Sequence, residues 1–471
     1  MRKTKIVCTL GPATSSPGAI RKLVSLGVDV FRINFSHGDR EGHHEEIEWI
    51  RREAKHEGET VAILQDLPGP KIRVGKMRDG AVDLAKGSTF SLVASEGVGD
   101  ESQATVNYPQ LFKSLRVGDL LHLADGIIRL RVEERTREAA TCTVLDGGVL
   151  SSGKGVNAPG VKIGLEFPTA ADARDLRFGA SIGVDFVALS FVRTSADVRA
   201  ARRLLRPEET PSLIAKIEKR EAVSNFDSIL RESDGVMVAR GDLGIEVPIE
   251  RVPVIQKEII RKCNEAGKQV IVATQMLLSM VNFPIPSRAE VSDVSTAILD
   301  GTDAVMLSDE TAVGKYPLQA VRMLDRIARS TERVLRRYGP PSLKEENATL
   351  SPEEAIGRAA CRLAESVGAK VVIAPTESGS TARRISMYRP RQSILALCTR
   401  ETVARTLKLS WGVVPVVARE VQTVDQLFAR AESTARAMGF AKKGDRVVVT
   451  SGTPGKKAST NLVKVVTLGA G

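Results

Sequence analysis

A short β-branched run that recurs eight times, each time followed by a stretch of helical spacing, constrains the fold more than any other feature of the chain. The runs cover residues 5–10, 29–33, 61–65 and, after a gap, 185–190, 212–217, 235–238, 269–273 and 303–307. Unbroken apolar runs of this length suit parallel strands buried on both faces, and eight strand–helix alternations are what a (β/α)8 barrel requires. A doubly wound sheet reads similarly at this level. The polar residues favour the barrel. Asn34, Ser36, Asp66, Lys216, Glu218, Arg240, Asp242, Thr274 and Ser308 stand at or just past the C-terminal ends of the runs, the face on which barrel enzymes build their sites.

The gap at residues 74–160 has another texture. Its segments 120–123, 127–133 and 140–145 alternate apolar and polar residues and are broken by Gly and Asp, which predicts an inserted β domain. The barrel is thereby split into residues 1–73 and 161–341. After a helical stretch at 317–338, Gly339-Pro340-Pro341-Ser342 ends the helix and opens a linker. A third unit, 342–471, has β runs at 370–374, 394–398, 413–417, 446–450 and 462–466 between helical stretches, a separate α/β sheet. A chain of 471 residues fits three such domains.

Five widely spaced cysteines without a C-x-x-C pair suggest neither a disulfide framework nor a zinc cage. No apolar run approaches the roughly 18 to 20 residues that span a bilayer, so a cytoplasmic protein without membrane contact is expected. Residues 351–471 hold 19 basic and 9 acidic side chains, nearly all of the chain's net charge of +11. With only 4% aromatic residues to stack on bases, this points to an anionic metabolite rather than a nucleic acid.

The candidate chemistry lies at the strand ends. Lys216 and Glu218 are two residues apart, so both point to one face; they suit either an internal ion pair or a site. In Val238-Ala239-Arg240-Gly241-Asp242-Leu243-Gly244 the glycines free backbone amides to approach an anion, and Asp242 adds a second carboxylate. Glu218 and Asp242 can hold one Mg²⁺, which needs only one or two carboxylates beside water and substrate oxygens. Arg32 and Arg73 suit phosphate oxygens. His43 and His44 lie among Glu45, Glu46 and Glu48 at a polar helix start and do not suggest a metal site.

These segments resemble the pyruvate kinase family. The resemblance is carried, in order, by Lys5-Ile6-Val7-Cys8-Thr9-Leu10-Gly11-Pro12, Arg32-Ile33-Asn34-Phe35-Ser36-His37-Gly38, Gly69-Pro70-Lys71-Ile72-Arg73, Ala215-Lys216-Ile217-Glu218 and Ala239-Arg240-Gly241-Asp242-Leu243-Gly244. It continues through Ala273-Thr274-Gln275-Met276-Leu277 and Ser287-Arg288-Ala289-Glu290 to Met306-Leu307-Ser308. It implies an α/β fold: a (β/α)8 TIM barrel, an inserted β-barrel lid and a C-terminal α/β allosteric domain, assembled as a homotetramer. The implied reaction moves the phosphoryl group of phosphoenolpyruvate to ADP, with Mg²⁺ or Mn²⁺, giving pyruvate and ATP. In that likeness Lys216 bridges the phosphoryl group in flight, Arg32 and Arg73 clamp it, and Glu218 and Asp242 hold the metal. The amides of Gly241 and Asp242, with the Thr274 hydroxyl, cradle the substrate carboxylate. Ser308 joins Thr274 and water in delivering a proton to the enolate. Asn34, His37, Arg73 and Lys154 contact the nucleotide.

Two further expectations follow from the likeness. Many relatives hold K⁺ with the counterparts of Asn34, Ser36, Asp66 and the carbonyl of Leu67, and carry Glu where this chain has Lys71. The resemblance to the K⁺-independent branch implies that the Lys71 ammonium replaces the ion. In the C-terminal unit, Thr376, Ser378, Gly379, Ser380 and Thr381 join a strand to a helix and form an ordinary cap or a phosphate site. With Lys456 in a covering loop, they are the expected allosteric site for a sugar phosphate or AMP. Ser287, Ala124, Ala158 and Asp309 depart from common family residues without removing a proposed catalytic group. A metal-dependent barrel lyase, or a nucleic-acid binder using the basic C-terminal unit, are the competing readings.

Overall fold

The computed structural model describes residues 1–206, 211–338, 350–419, 421, 423–452 and 460–469. Eight parallel strands close into a barrel: Lys5–Thr9, Val30–Asn34, Ala62–Asp66, Phe186–Leu189, Ser212–Ile217, Gly235–Ala239, Gln269–Ala273 and Ala304–Leu307. They begin and end within one residue of the runs read from the sequence. Successive residues alternate between two apolar layers. Val7, Val30, Leu64, Phe186, Ile214, Met237 and Ile271 fill the interior, while Ile6, Cys8, Phe31, Ile63, Val187, Leu213 and Val236 pack outward against the helices. Burial on both faces removes the polar positions that a half-exposed strand would show. Helix Arg288–Leu299 starts at Ser287, which forms a capping box with Glu290, so Ser serves this cap as Thr would.

At the N-terminal end of the barrel an aspartate precedes every second strand. Asp29, Asp185, Asp234 and Asp303 each accept the backbone N–H of the second residue in the preceding strand: Ile6 at 3.0 Å, Ile63 at 2.8 Å, Leu213 at 2.8 Å and Val270 at 3.1 Å. Each is also paired with a cation. The C-terminal domain supplies Lys408 to Asp29 at 3.1 Å, Arg405 to Asp185 at 2.7 Å and Arg389 to Asp303 at 2.9 Å, whereas Asp234 pairs with Arg202 of the barrel.

The insertion follows the third barrel strand. A six-stranded and a two-stranded sheet enclose a separate core that includes Phe90, Phe112, Leu121, Ile128 and Leu130. Strand Ile128–Arg135 alternates buried and exposed residues at its start, as the sequence alternation predicts. The C-terminal domain is a five-stranded sheet in which Val371–Thr376, Ser393–Cys398, Val413–Val417 and Arg446–Gly452 run parallel and the edge strand Thr460–Thr467 is antiparallel. Gly339, Pro340, Pro341, Ser342 and Lys456 lie outside the described residues.

Candidate active site

Lys216 sits at the end of the fifth barrel strand, where the fold turns its ammonium into a nest of oxygens. Nζ donates to Ser190 Oγ at 2.7 Å and lies 3.2 Å from Asp66 Oδ1 and 2.9 Å from Glu218 Oε1. Burial disfavours the charge, but Asp66 and Glu218 outweigh it and hold Lys216 above the ordinary lysine range. The result is a permanent cation in a fixed place. Asp66 also accepts from Arg32 Nε at 2.7 Å, and Arg32 Nη1 donates to Thr9 Oγ1 at 3.1 Å. Burial would raise the Asp66 carboxyl, yet Lys216 and Arg32 together keep it low. One carboxylate thus orients two of the predicted phosphoryl-binding cations, a role that the sequence reading did not give Asp66.

Glu218 is fully buried. Its Oε2 accepts the Phe191 amide at 2.8 Å, while Oε1 is paired with the Lys216 ammonium at 2.9 Å. Burial raises this carboxyl, Lys216 opposes, and the nearby Asp242 charge adds to the rise. Glu218 and Asp242 are close enough for their charges to interact, and two carboxylates are a donor set suited to a divalent cation. Asp242 lies in the first turn of helix Arg240–Glu246. Lys71, from the segment leading into the lid, is 3.8 Å from Asp242 Oδ1. Asn34 Oδ1 accepts the Ser36 amide at 3.2 Å, and the Leu67 amide binds the Ala188 carbonyl. The ion pair of Lys71 is therefore with a candidate metal ligand, beside Asp242 rather than with the Asp66 carboxylate.

Thr274 directly follows the seventh strand, with φ +71°. Its hydroxyl accepts the Gly241 amide at 2.8 Å and donates to the Ala273 carbonyl at 2.6 Å, which brings Gly241 and Thr274 together. Arg240 braces this loop through the Thr274 carbonyl and Asp293. The Ser308 hydroxyl is buried and makes no hydrogen bond among the described residues. Its backbone amide goes to Glu310, which also accepts the Leu277 amide at 2.9 Å. Sequence reasoning missed Glu310 and Ser190. Ser190 directly follows strand Phe186–Leu189 and Glu310 lies three residues past Ala304–Leu307, close to the positions that selected the other residues.

At the entry to the lid, Arg73 Nη1 donates to the Gly153 carbonyl at 3.0 Å and Arg73 bridges to Gly155, bringing it to the Lys154 loop. Lys154 is half-exposed and 3.8 Å from Asp125. His37 is exposed on the turn after Asn34. His43 is buried and stacked on Phe35, ring centroids 4.2 Å apart, and serves the core. In the C-terminal domain Gly379 has φ +81° and donates its amide to Thr376 Oγ1, Ser378 donates to Ser380, and Thr381 meets Thr460 at 2.8 Å.

Residues 1–321 match the family model described as pyruvate kinase, barrel domain, and residues 354–466 match pyruvate kinase, alpha/beta domain. The chain is 46% identical to a pyruvate kinase of Geobacillus stearothermophilus over 98% of its own length and 80% of that protein's. It is 43% identical to one of Sporosarcina psychrophila, over 100% of this chain and 81% of the other. With a closed barrel, an inserted sheet domain, a C-terminal α/β domain and these matches over the length of the chain, the chain belongs to the pyruvate kinase family.

Proposed function

We propose that the protein transfers the phosphoryl group of phosphoenolpyruvate to ADP, with the reaction held at the lid-covered end of the barrel. The observation that carries this is the fixed Lys216 ammonium, set between Asp66 and Glu218 with Arg32 anchored on the same carboxylate. Phosphoryl transfer needs alignment and neutralisation of charge more than covalent participation. The bond from phosphorus to the enol oxygen breaks as one forms to a β-phosphate oxygen of ADP, and Lys216, Arg32 and Arg73 hold the group between them. Glu218 and Asp242 are the residues to hold a divalent cation such as Mg²⁺ or Mn²⁺, which when bound neutralises the phosphoryl and enolate oxygens. The amides of Gly241 and Asp242 with the Thr274 hydroxyl hold the carboxylate. Thr274 and Ser308 hold the proton that the enolate takes at its methylene carbon. Asn34, His37 and Lys154 bind the nucleotide. Lid closure keeps water from competing as the acceptor.

The same reading includes K⁺-independent turnover through Lys71 and an effector site for a phosphorylated sugar or AMP at Thr376, Ser378, Gly379, Ser380, Thr381 and Lys456. It also includes a homotetramer working in the cytoplasm, with domain limits near residues 73, 160 and 341. Exposed Phe283 and Ile285 supply apolar surface suited to subunit contact. No helix among the described residues is long and apolar enough to cross a membrane. The test is pyruvate formation from phosphoenolpyruvate and ADP with Mg²⁺ in K⁺-free buffer. Turnover supports the reaction, and its absence in folded protein supplied with KCl and effectors rejects it. Glucose 6-phosphate and AMP are added in turn to follow the phosphoenolpyruvate response. An unchanged response with both rejects the effector site.

A further inference from the structure

The chain returns from the lid to the barrel through Ile163, Gly164 and Leu165, and the backbone of this segment is divided between the two domains. The Gly164 carbonyl accepts from the lid's Tyr108 hydroxyl at 3.1 Å. The carbonyls on either side go to one barrel residue: Arg193 Nη1 donates to Ile163 at 3.2 Å and Nη2 to Leu165 at 2.8 Å. The Ile163 and Leu165 side chains meanwhile pack on the lid core. The segment therefore belongs to the lid by its side chains and to the barrel by its flanking carbonyls.

Arg193 is itself held firmly. Its amide donates to Asp197 Oδ2 at 2.8 Å, its guanidinium lies 3.7 Å from the same carboxylate, and its carbonyl accepts from Asn225 at 3.0 Å. Only three residues before it, Ser190 receives the Lys216 ammonium, and the Phe191 amide donates to Glu218. The same loop meets the outward segment, because Gly69 packs so tightly on it that an added Cβ would lie 2.7 Å from the Ser190 carbonyl. Beside these contacts lies a small cleft between lid and barrel, lined in part by Pro70, Ile72, Ala158, Phe191 and Arg193.

We propose that Arg193 is a positioning residue that couples the seat of the lid to the carboxylate Glu218 and the ammonium Lys216. The guanidinium fork is needed because its planar donors reach two carbonyls at once. A shift of Glu218 on meeting a cation moves the Phe191 amide, the rigid turn to Arg193 carries the shift, and the return segment moves with it. This rests on the phosphotransfer reading for its kinetic consequences, but the coupling has a readout of its own.

The experiment compares wild type, Arg193→Ala and Arg193→Lys by steady-state kinetics and by backbone hydrogen exchange over residues 161–165, with and without Mn²⁺ plus phosphoenolpyruvate. Wild type is expected to gain protection in that segment when the ligands are added. Arg193→Ala is expected to lose that response, raise KM for ADP about tenfold and lower kcat about tenfold, while KM for phosphoenolpyruvate stays within about threefold; these sizes follow from losing two charge-assisted bonds in a closing element. Arg193→Lys, which keeps the charge and a donor, recovers part of both effects. Normal protection and kinetics in Arg193→Ala would overturn the proposal, as would equal rises in both KM values with a lowered melting temperature. If the alanine variant does not fold, Arg193→Lys decides alone: wild-type ADP kinetics and exchange reject the coupling. Absence of turnover in wild type would fault the phosphotransfer reading, whereas exchange that fails to respond in wild type would fault the coupling.

Discussion

The Lys216 ammonium lies 3.2 Å from the Asp66 carboxylate, whose other oxygen accepts from Arg32 at 2.7 Å. Removing this carboxylate's charge leaves both cations without their common anchor. Asp66→Asn is expected to lower kcat by about a hundredfold, and Lys216→Met by about a thousandfold or more, the range for losing a preorganised charge at the reacting centre. Circular dichroism should show the fold intact. A kcat for Asp66→Asn within threefold of wild type would mean that the anchor is dispensable.

Lys71 stands 3.8 Å from Asp242, so exchanging its sign changes the charge beside a candidate metal ligand. Wild-type activity at saturating substrates is expected to be unchanged by KCl. Lys71→Glu should be nearly inactive without K⁺ and recover with it. A variant that KCl does not restore would count against Lys71 as a built-in monovalent cation.

Arg389 has a side chain 1% exposed and bonds to Asp303, Asn264 and the Gly301 carbonyl across the domain junction. Arg389→Ala strands a buried carboxylate, and breaking such a pair typically costs about 3–5 kcal/mol. Trp411 is buried beside it, its ring 5.3 Å from the guanidinium, and makes a local probe. The variant should shift the urea midpoint followed by tryptophan fluorescence to lower concentration. An unmoved midpoint would show that the junction is held elsewhere.

Burial lowers the Lys5 ammonium from 10.5 to about 8, with Asp29 opposing. Between those two values the unfolded chain binds more protons than the folded one at this site, so its contribution to stability rises with pH. Below the lower value, burying the charged group carries its full cost. Relative to Lys5→Met, wild type should therefore gain stability between pH 7.5 and 10, read as urea midpoints at both pH values. Parallel shifts in the two proteins would contradict this origin.

The barrel was legible because its strands are buried on both faces, which writes them into the sequence as unbroken β-branched runs. The site was legible because its polar residues fall where those runs stop. Contacts that cross from one strand end to another were not. Asp66 looked like part of a cation site, and its grip on Arg32 and Lys216 joins three separate strands. Glu310 reads as one acid in a polar turn, and its bonds to the Leu277 and Ser308 amides depend on two loops meeting. Arg193 gave no signal, since its partners are backbone carbonyls about 30 residues away and carbonyls carry no residue identity.

The alternate aspartates at the base of the barrel have a consequence for how the molecule is assembled. Asp29, Asp185 and Asp303 receive C-terminal cations with the same carboxylates that clasp neighbouring strands. A strand shifted by one residue would move its partner amide, and the carboxylate would no longer present the same oxygens to Lys408, Arg405 or Arg389. The carboxylate positions that closure of the barrel sets are thus the same ones on which the C-terminal domain is seated, so strand register and domain docking share one set of anchors.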